Sequence, residues 1–140
     1  MSTRAVELTR FRLLRDPVVV GVAGAAAATL LHVRDPHVDG AYGYCPFLEL
    51  TGRPCPGCGG LRAVSALTNG DLVGALSYNL LAVGLVVILI SAWAAWAVRR
   101  ARGADARMLV MSDRALVLVL VLALAFGVAR NMPWGAGLAP

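Results

Sequence analysis

All three cysteines of this 140-residue chain lie in one stretch, CPFLELTGRPCPGCGGLR, at positions 45 to 62. Cys55 and Cys58 stand at C-x-x-C spacing around Pro56 and Gly57, and Cys45 precedes Cys55 with nine residues between. Pro46, Pro54 and Pro56 each remove a backbone donor and fix φ, while Gly52, Gly57, Gly59 and Gly60 permit turns closed to other residues. The stretch is therefore expected to be built from turns rather than from helix or strand. Two thiols across such a turn reach one small target, a metal ion or each other, and Cys45 can fold back as a third.

Three chemistries fit. Cys-Pro-x-Cys-Gly has the form of a zinc-ribbon knuckle, in which turn amides support thiolates. One knuckle and one lone cysteine leave zinc a ligand short, so Cys45, Cys55 and Cys58 would need His37, His32, an acidic residue such as Glu49, or water. The second chemistry is thiol–disulfide exchange, with Cys55 attacking, Cys58 resolving and Cys45 as a relay. A short helix beginning at Cys58 would lower a thiol pKa through its N-terminal dipole. The third is a structural disulfide from Cys45 to Cys55 or Cys58. An oxidising compartment favours disulfides over a reduced metal site, and an odd thiol count argues against a purely structural framework. The residues alone leave the three open, with His32 and His37 read first as solvated loop residues.

The elements that position this loop follow from the composition. The chain is 59% hydrophobic and 15% charged, with a mean hydropathy of +0.72. Its apolar residues form three blocks free of Asp, Glu, Lys and Arg, at 17–33, 72–98 and 115–129. As helices these measure about 25, 40 and 22 Å against a hydrocarbon core of about 30 Å. The fold class expected is an all-α membrane protein with three transmembrane helices, a short interfacial helix and a turn-rich cysteine loop. Its divisions are a basic N-terminal segment 1–16, spans at 17–33, 71–98 and 115–131, the cysteine loop 34–58, the interfacial helix 59–70, a basic loop 99–114 and a tail 132–140. Asp16-Pro17 reads as an N-cap followed by proline at the first helical position, which favours a retained first helix over a cleaved signal peptide.

The net charge of +5 comes from 13 arginines and no lysine. Nine of them lie in 1–16 and 99–114, and four lie at 34, 53, 62 and 130. This positive-inside bias places the N-terminus and the 99–114 loop in the cytoplasm and the cysteine loop outside, at the inner (plasma) membrane of a bacterium. The excess is a topology signal, and no aromatic-interleaved basic patch points to nucleic acid. The three apolar blocks hold no acidic residue, which argues against a transporter or proton pump. No Ser-His-Asp set or phosphate-binding glycine loop is present.

Within CGGLRAVSALTNG, Leu61, Val64 and Leu67 share one helical face, and Arg62, Ser65 and Asn69 another. Asn69-Gly70 is a stop signal, and Asp71 is placed to cap the long second helix. Arg62 and Arg130 either snorkel to headgroups or anchor the loop through Asn79 or the carbonyls of the turn.

Cys45-Pro46-Phe47, Thr51-Gly52, Cys55-Pro56-Gly57-Cys58-Gly59, Leu61-Arg62-Ala63, Gly70-Asp71, Asn79, Arg130-Asn131 and Pro133 resemble the signature of a prokaryotic membrane family known as domain of unknown function 2752. Leu61 stands where many members have Thr. The resemblance implies a small multi-pass protein whose motif residues Arg62, Asp71, Asn79, Arg130, Asn131 and Pro133 belong together, and it implies no activity, substrate or cofactor. The leading expectation is a non-enzymatic accessory or scaffold subunit in the lipid bilayer, its cysteine motif structural or zinc-binding, docking another membrane protein or a second copy of itself. The alternatives are a membrane thiol–disulfide oxidoreductase and a protein of metal delivery or sensing.

Overall fold

Asp16 and Pro17 do not begin a helix. In the computed structural model, which describes residues 3–38 and 40–138 and only the backbone of 3–12 and 136–138, α1 runs unbroken from Thr3 to Val33 with Pro17 inside it. The basic segment and the first apolar block thus lie on one continuous helix. Pro17 removes one backbone bond from the helix, and the residues before it are mostly good helix formers. Asp16 does not act as a cap; it faces Arg100 at 3.5 Å.

Four more helices follow, α2 (Pro46–Thr51), α3 (Gly60–Thr68), α4 (Leu72–Ala101) and α5 (Asp113–Ala129), then a 3₁₀ turn at Pro133–Leu138. No strand occurs among the described residues. Helix α2 corrects the expectation of turns alone. Proline at its first position suits a helix start, and Gly52, at φ 66°, ends it by donating its N–H to the Leu48 carbonyl at 2.8 Å.

Two helices, at Leu13–Val33 (mean hydropathy 1.5) and Leu72–Ala101 (2.4), are long and apolar enough to cross a membrane. Three had been expected. Helix α5 has only 17 residues, about 26 Å, because Ser112 caps its start and Arg130 ends it by turning to other partners. Of the two apolar windows, 6% and 11% is buried, far too little for the core helices of a soluble protein.

The chain divides into two compact units. One combines the chain up to Ala27 with Val87–Val110. There Trp93 packs its ring on Gly21 and donates Nε1–H to the Pro17 carbonyl at 2.9 Å. Trp96, 6% exposed, donates to the Ala106 carbonyl at 2.7 Å, and Arg100 bonds the same oxygen at 3.1 Å. Trp93 thus ties α4 to α1, and Trp96 ties down the basic loop.

The other unit combines Ala28–Val86 with the chain from Met111 onward and carries the site. Its core is made of small residues: Ala63 and Ala66 of α3 against Ala75 and Val83 of α4, flanked by Leu67, Tyr78 and Ala82. Short side chains let the two helices approach closely. The face of α3 read as polar is thus partly turned inward, and buried Ser65 donates to the Leu31 carbonyl at 3.1 Å. A Schellman turn ends α3: Gly70 N–H bonds the Leu67 carbonyl and Asp71 N–H the Ala66 carbonyl. Asp71 then caps α4, accepting from Gly74 N–H at 2.8 Å.

Helix α4 is interrupted at Asn79, whose backbone is extended (φ −165°, ψ 96°). Its Oδ1 accepts the Ala82 N–H at 2.9 Å, so Asn79 is the N-cap of the following segment. The expected single helix over 71–98 is therefore two helical segments in series. The second, from Leu80 to Ala101, measures about 33 Å, one hydrocarbon thickness.

Candidate functional site

The three sulfurs lie within 4.8 Å of one another. Cys55 Sγ is 3.1 Å from Cys58 Sγ and 3.5 Å from Cys45 Sγ. All three cysteines are free and half-buried. A disulfide would require about 2.0 Å, whereas tetrahedral zinc with bonds of about 2.3 Å spaces its thiolates about 3.8 Å apart. The triangle is nearer the second geometry.

Local chain geometry produces this convergence. Cys45 occupies the N-cap position of α2, and the turn of α2 through Gly52 returns the chain to Cys55. Cys58 N–H then bonds the Cys55 carbonyl at 3.1 Å, closing the knuckle, while Cys55 N–H donates to Cys58 Sγ at 3.2 Å. Gly59, at φ 79°, redirects the chain into α3. The helix therefore starts at Gly60, not at Cys58.

Side chains from α4 and from the end of α5 grip the knuckle. Asn79 donates to the carbonyls of Pro56 and Cys58, both at 3.0 Å. Arg130 Nη1 donates to those of Cys55 (2.9 Å) and Cys58 (3.0 Å), and Asn131 Nδ2 to that of Pro54 (3.0 Å). With Gly60 N–H on the Gly57 carbonyl, every carbonyl from Pro54 to Cys58 has a donor. Asn79 and Arg130 are 1% and 2% exposed. An irregular loop so satisfied is held in one conformation. Gly127 adds close packing, since a Cβ there would stand 3.2 Å from the Pro56 ring.

The thiols are not equivalent. The Leu48 amide and contacts from Cys58 and Cys55 hold the Cys45 thiol below its ordinary pKa. Burial, then the neighbouring sulfurs, push Cys58 up to about 12. At Cys58 desolvation is the largest cause of the shift.

An open pocket of about 390 Å³ is bordered by Cys45 and Cys58 together with Glu49, Arg62, Tyr44 and Gly57. The other expected residues are dispersed. His37 does not join the cysteines: its Nδ1 pairs with Asp35 at 2.6 Å, its ring meets Tyr78 edge-on at 4.9 Å, and with His32 and Asp71 it lines a separate pocket of about 320 Å³. Arg62 Nε donates to the Pro36 carbonyl at 3.3 Å. Pro133 opens the 3₁₀ turn. The small-residue spacing of Ala123 and Gly127 reads as a site of close helix approach, but the chain that comes close to Gly127 is the Pro56 turn, and the spacing of Gly127 to Arg130 and Asn131 puts all three on one helical face. The tyrosine at the pocket rim carried no signal.

The family described as "Protein of unknown function (DUF2752)" matches residues 45–93. This is the family the motifs resemble, and the match takes in the three cysteines, Arg62, Asp71 and Asn79, while Arg130, Asn131 and Pro133 lie beyond it. Comparison with curated proteins and with solved structures finds no match.

Proposed function

We propose that the chain is a small multi-pass membrane protein, a non-enzymatic accessory or scaffold subunit, whose three cysteines bind a divalent ion such as zinc and form an extracytoplasmic docking element for another membrane protein or a second copy of the chain. The observation that carries the metal reading is the gathering of three sulfurs within 4.8 Å on a knuckle whose carbonyls are all engaged. Such preorganisation suits a ligand set. The membrane reading extends to α5, where every residue from Leu116 to Leu122 is about half exposed or more, a continuous apolar surface that lipid covers. We place α5 as a short third crossing, with bilayer thinning at its ends. The arginine distribution supports a cytoplasmic N-terminus and 99–114 loop at the inner membrane.

Protein purified in detergent under reducing conditions is expected to hold one zinc per chain by elemental analysis. Cys45→Ser is expected to lose most of it. Metal-free wild-type protein after zinc-supplemented growth would overturn the reading.

Thiol–disulfide exchange is the second reading, favoured by sulfurs in series at 3.5 and 3.1 Å and by the lowered pKa of Cys45. Attack by Cys45 on a Cys55–Cys58 disulfide would expel Cys58, whose burial disfavours its thiolate and makes it a poor leaving group. That places metal binding first. The open pocket also suits metal delivery or sensing, in which an incoming group takes the fourth position.

A further inference from the structure

Arg130 carries a full charge yet is 2% exposed, and its Nε and Nη2 have no hydrogen-bond partner. Its Nη1 is engaged by the Cys55 and Cys58 carbonyls, and its guanidinium lies over the Phe126 ring at 5.2 Å. Dipoles and a ring face do not neutralise a buried cation, which requires an anion close by. The groups next to the Arg130 carbonyl partners are the sulfurs themselves, and its charge acts on Cys58 and Cys55.

We infer that Arg130 is the charge partner of a singly anionic centre made of three thiolates, one divalent ion and a neutral fourth ligand. The inference rests on the metal reading and adds the charge count. Three thiolates and a divalent ion leave one net negative charge, which Arg130 cancels. A carboxylate in the fourth position would add a second negative charge that Arg130 does not cancel. Glu49, exposed at the pocket rim, is thereby excluded as a ligand, and water or another neutral group from the pocket takes that place. The unpartnered Nε and Nη2 of Arg130 are the donors the anionic centre would engage.

The test is zinc affinity of the full chain in detergent, read by competition with a chromogenic chelator. Arg130→Gln is expected to bind about 10- to 100-fold more weakly, the usual size of an outer-sphere loss, and Arg130→Lys to recover most of that. Glu49→Gln is expected to bind as wild type. Because Arg130 also anchors the knuckle, a cycle with Cys45→His separates the roles. Histidine in place of that thiolate makes the centre neutral, so Arg130→Gln should then cost no more than about threefold. An equal cost of Arg130→Gln in both backgrounds, a Lys variant as weak as the Gln variant, or loss of zinc in Glu49→Gln would each overturn the inference. Wild-type protein that binds no zinc brings down the metal reading itself, whereas zinc binding that ignores the charge at 130 removes only the charge partner.

Discussion

Asn79 uses one amide in two directions. Its oxygen caps the segment that follows, and its nitrogen holds two carbonyls of the knuckle. Asn79→Ala leaves the Pro56 carbonyl and the Ala82 N–H unpaired, and a destabilisation of about 2 to 4 kcal/mol is expected in mixed-micelle unfolding followed by circular dichroism. Asn79→Asp is the sharper probe. It keeps the cap but has no donor for the carbonyls, so amide exchange should accelerate across residues 55–60 and stay slow at Ala82. Wild-type exchange at the knuckle in that variant would show that Asn79 only caps. The thiols give a second prediction. A lowered pKa means more thiolate at neutral pH and a raised one means less. In reduced, metal-free protein, iodoacetamide at pH 7 should therefore modify Cys45 before Cys58. Mass spectrometry that finds Cys58 modified first would reverse the assignment.

The elements depend on their ends more than on their faces. Asp71 begins α4 and Gly74 makes room for its carboxylate, because a Cβ at Gly74 would overlap the Asp71 side chain. Asp71→Ala should cost about 1 kcal/mol and speed exchange of the Gly74 amide, with Asp71→Asn retaining most of the protection. Gly127 acts similarly on α5, where Gly127→Val would press on the Pro56 ring; overpacking of about 1 to 3 kcal/mol is expected, with weaker zinc binding as the knuckle is displaced. These ends explain what was readable in the chain. The Asn69-Gly70-Asp71 boundary was legible because capping chemistry is local, and so was the gathering of the cysteines, which spacing alone permits. The break at Asn79 was not legible, since an Asn within an apolar run resembles any polar residue until its carbonyl partners, over 20 positions away, are known. Helix α2 was hidden because proline counted as a breaker also serves as a first helical residue. Pro17 misled in the opposite sense. His37 looked available as a ligand only while its place, beside His32 and Asp71 in a separate pocket rather than with the sulfurs, was not seen.

At the scale of the whole molecule, the decisive quantity is the number of crossings, because it determines which compartment the sulfurs and the C-terminus meet. Two helices are long and apolar enough to cross, and α5 is shorter but presents apolar side chains all round. If α5 crosses, the segments after Val33 and after Ala129 share a compartment, which is where the Asn131 bond to Pro54 and the Arg130 bonds to Cys55 and Cys58 require both to be. Were α5 to stay on the cytoplasmic side, those bonds would have to break or the cysteine loop would have to follow. Alkaline phosphatase fused after Pro140 is therefore expected to be active, and the same enzyme inserted at Ala104 inactive. A membrane-impermeant maleimide should label Cys45 in spheroplasts as fully as in lysed cells. Labelling confined to lysed cells would invert the orientation, put the thiols in the reducing cytoplasm and leave zinc without a competing disulfide. An inactive fusion at Pro140 combined with full labelling in spheroplasts would instead separate α5 from the knuckle and contradict the contacts that hold the site together.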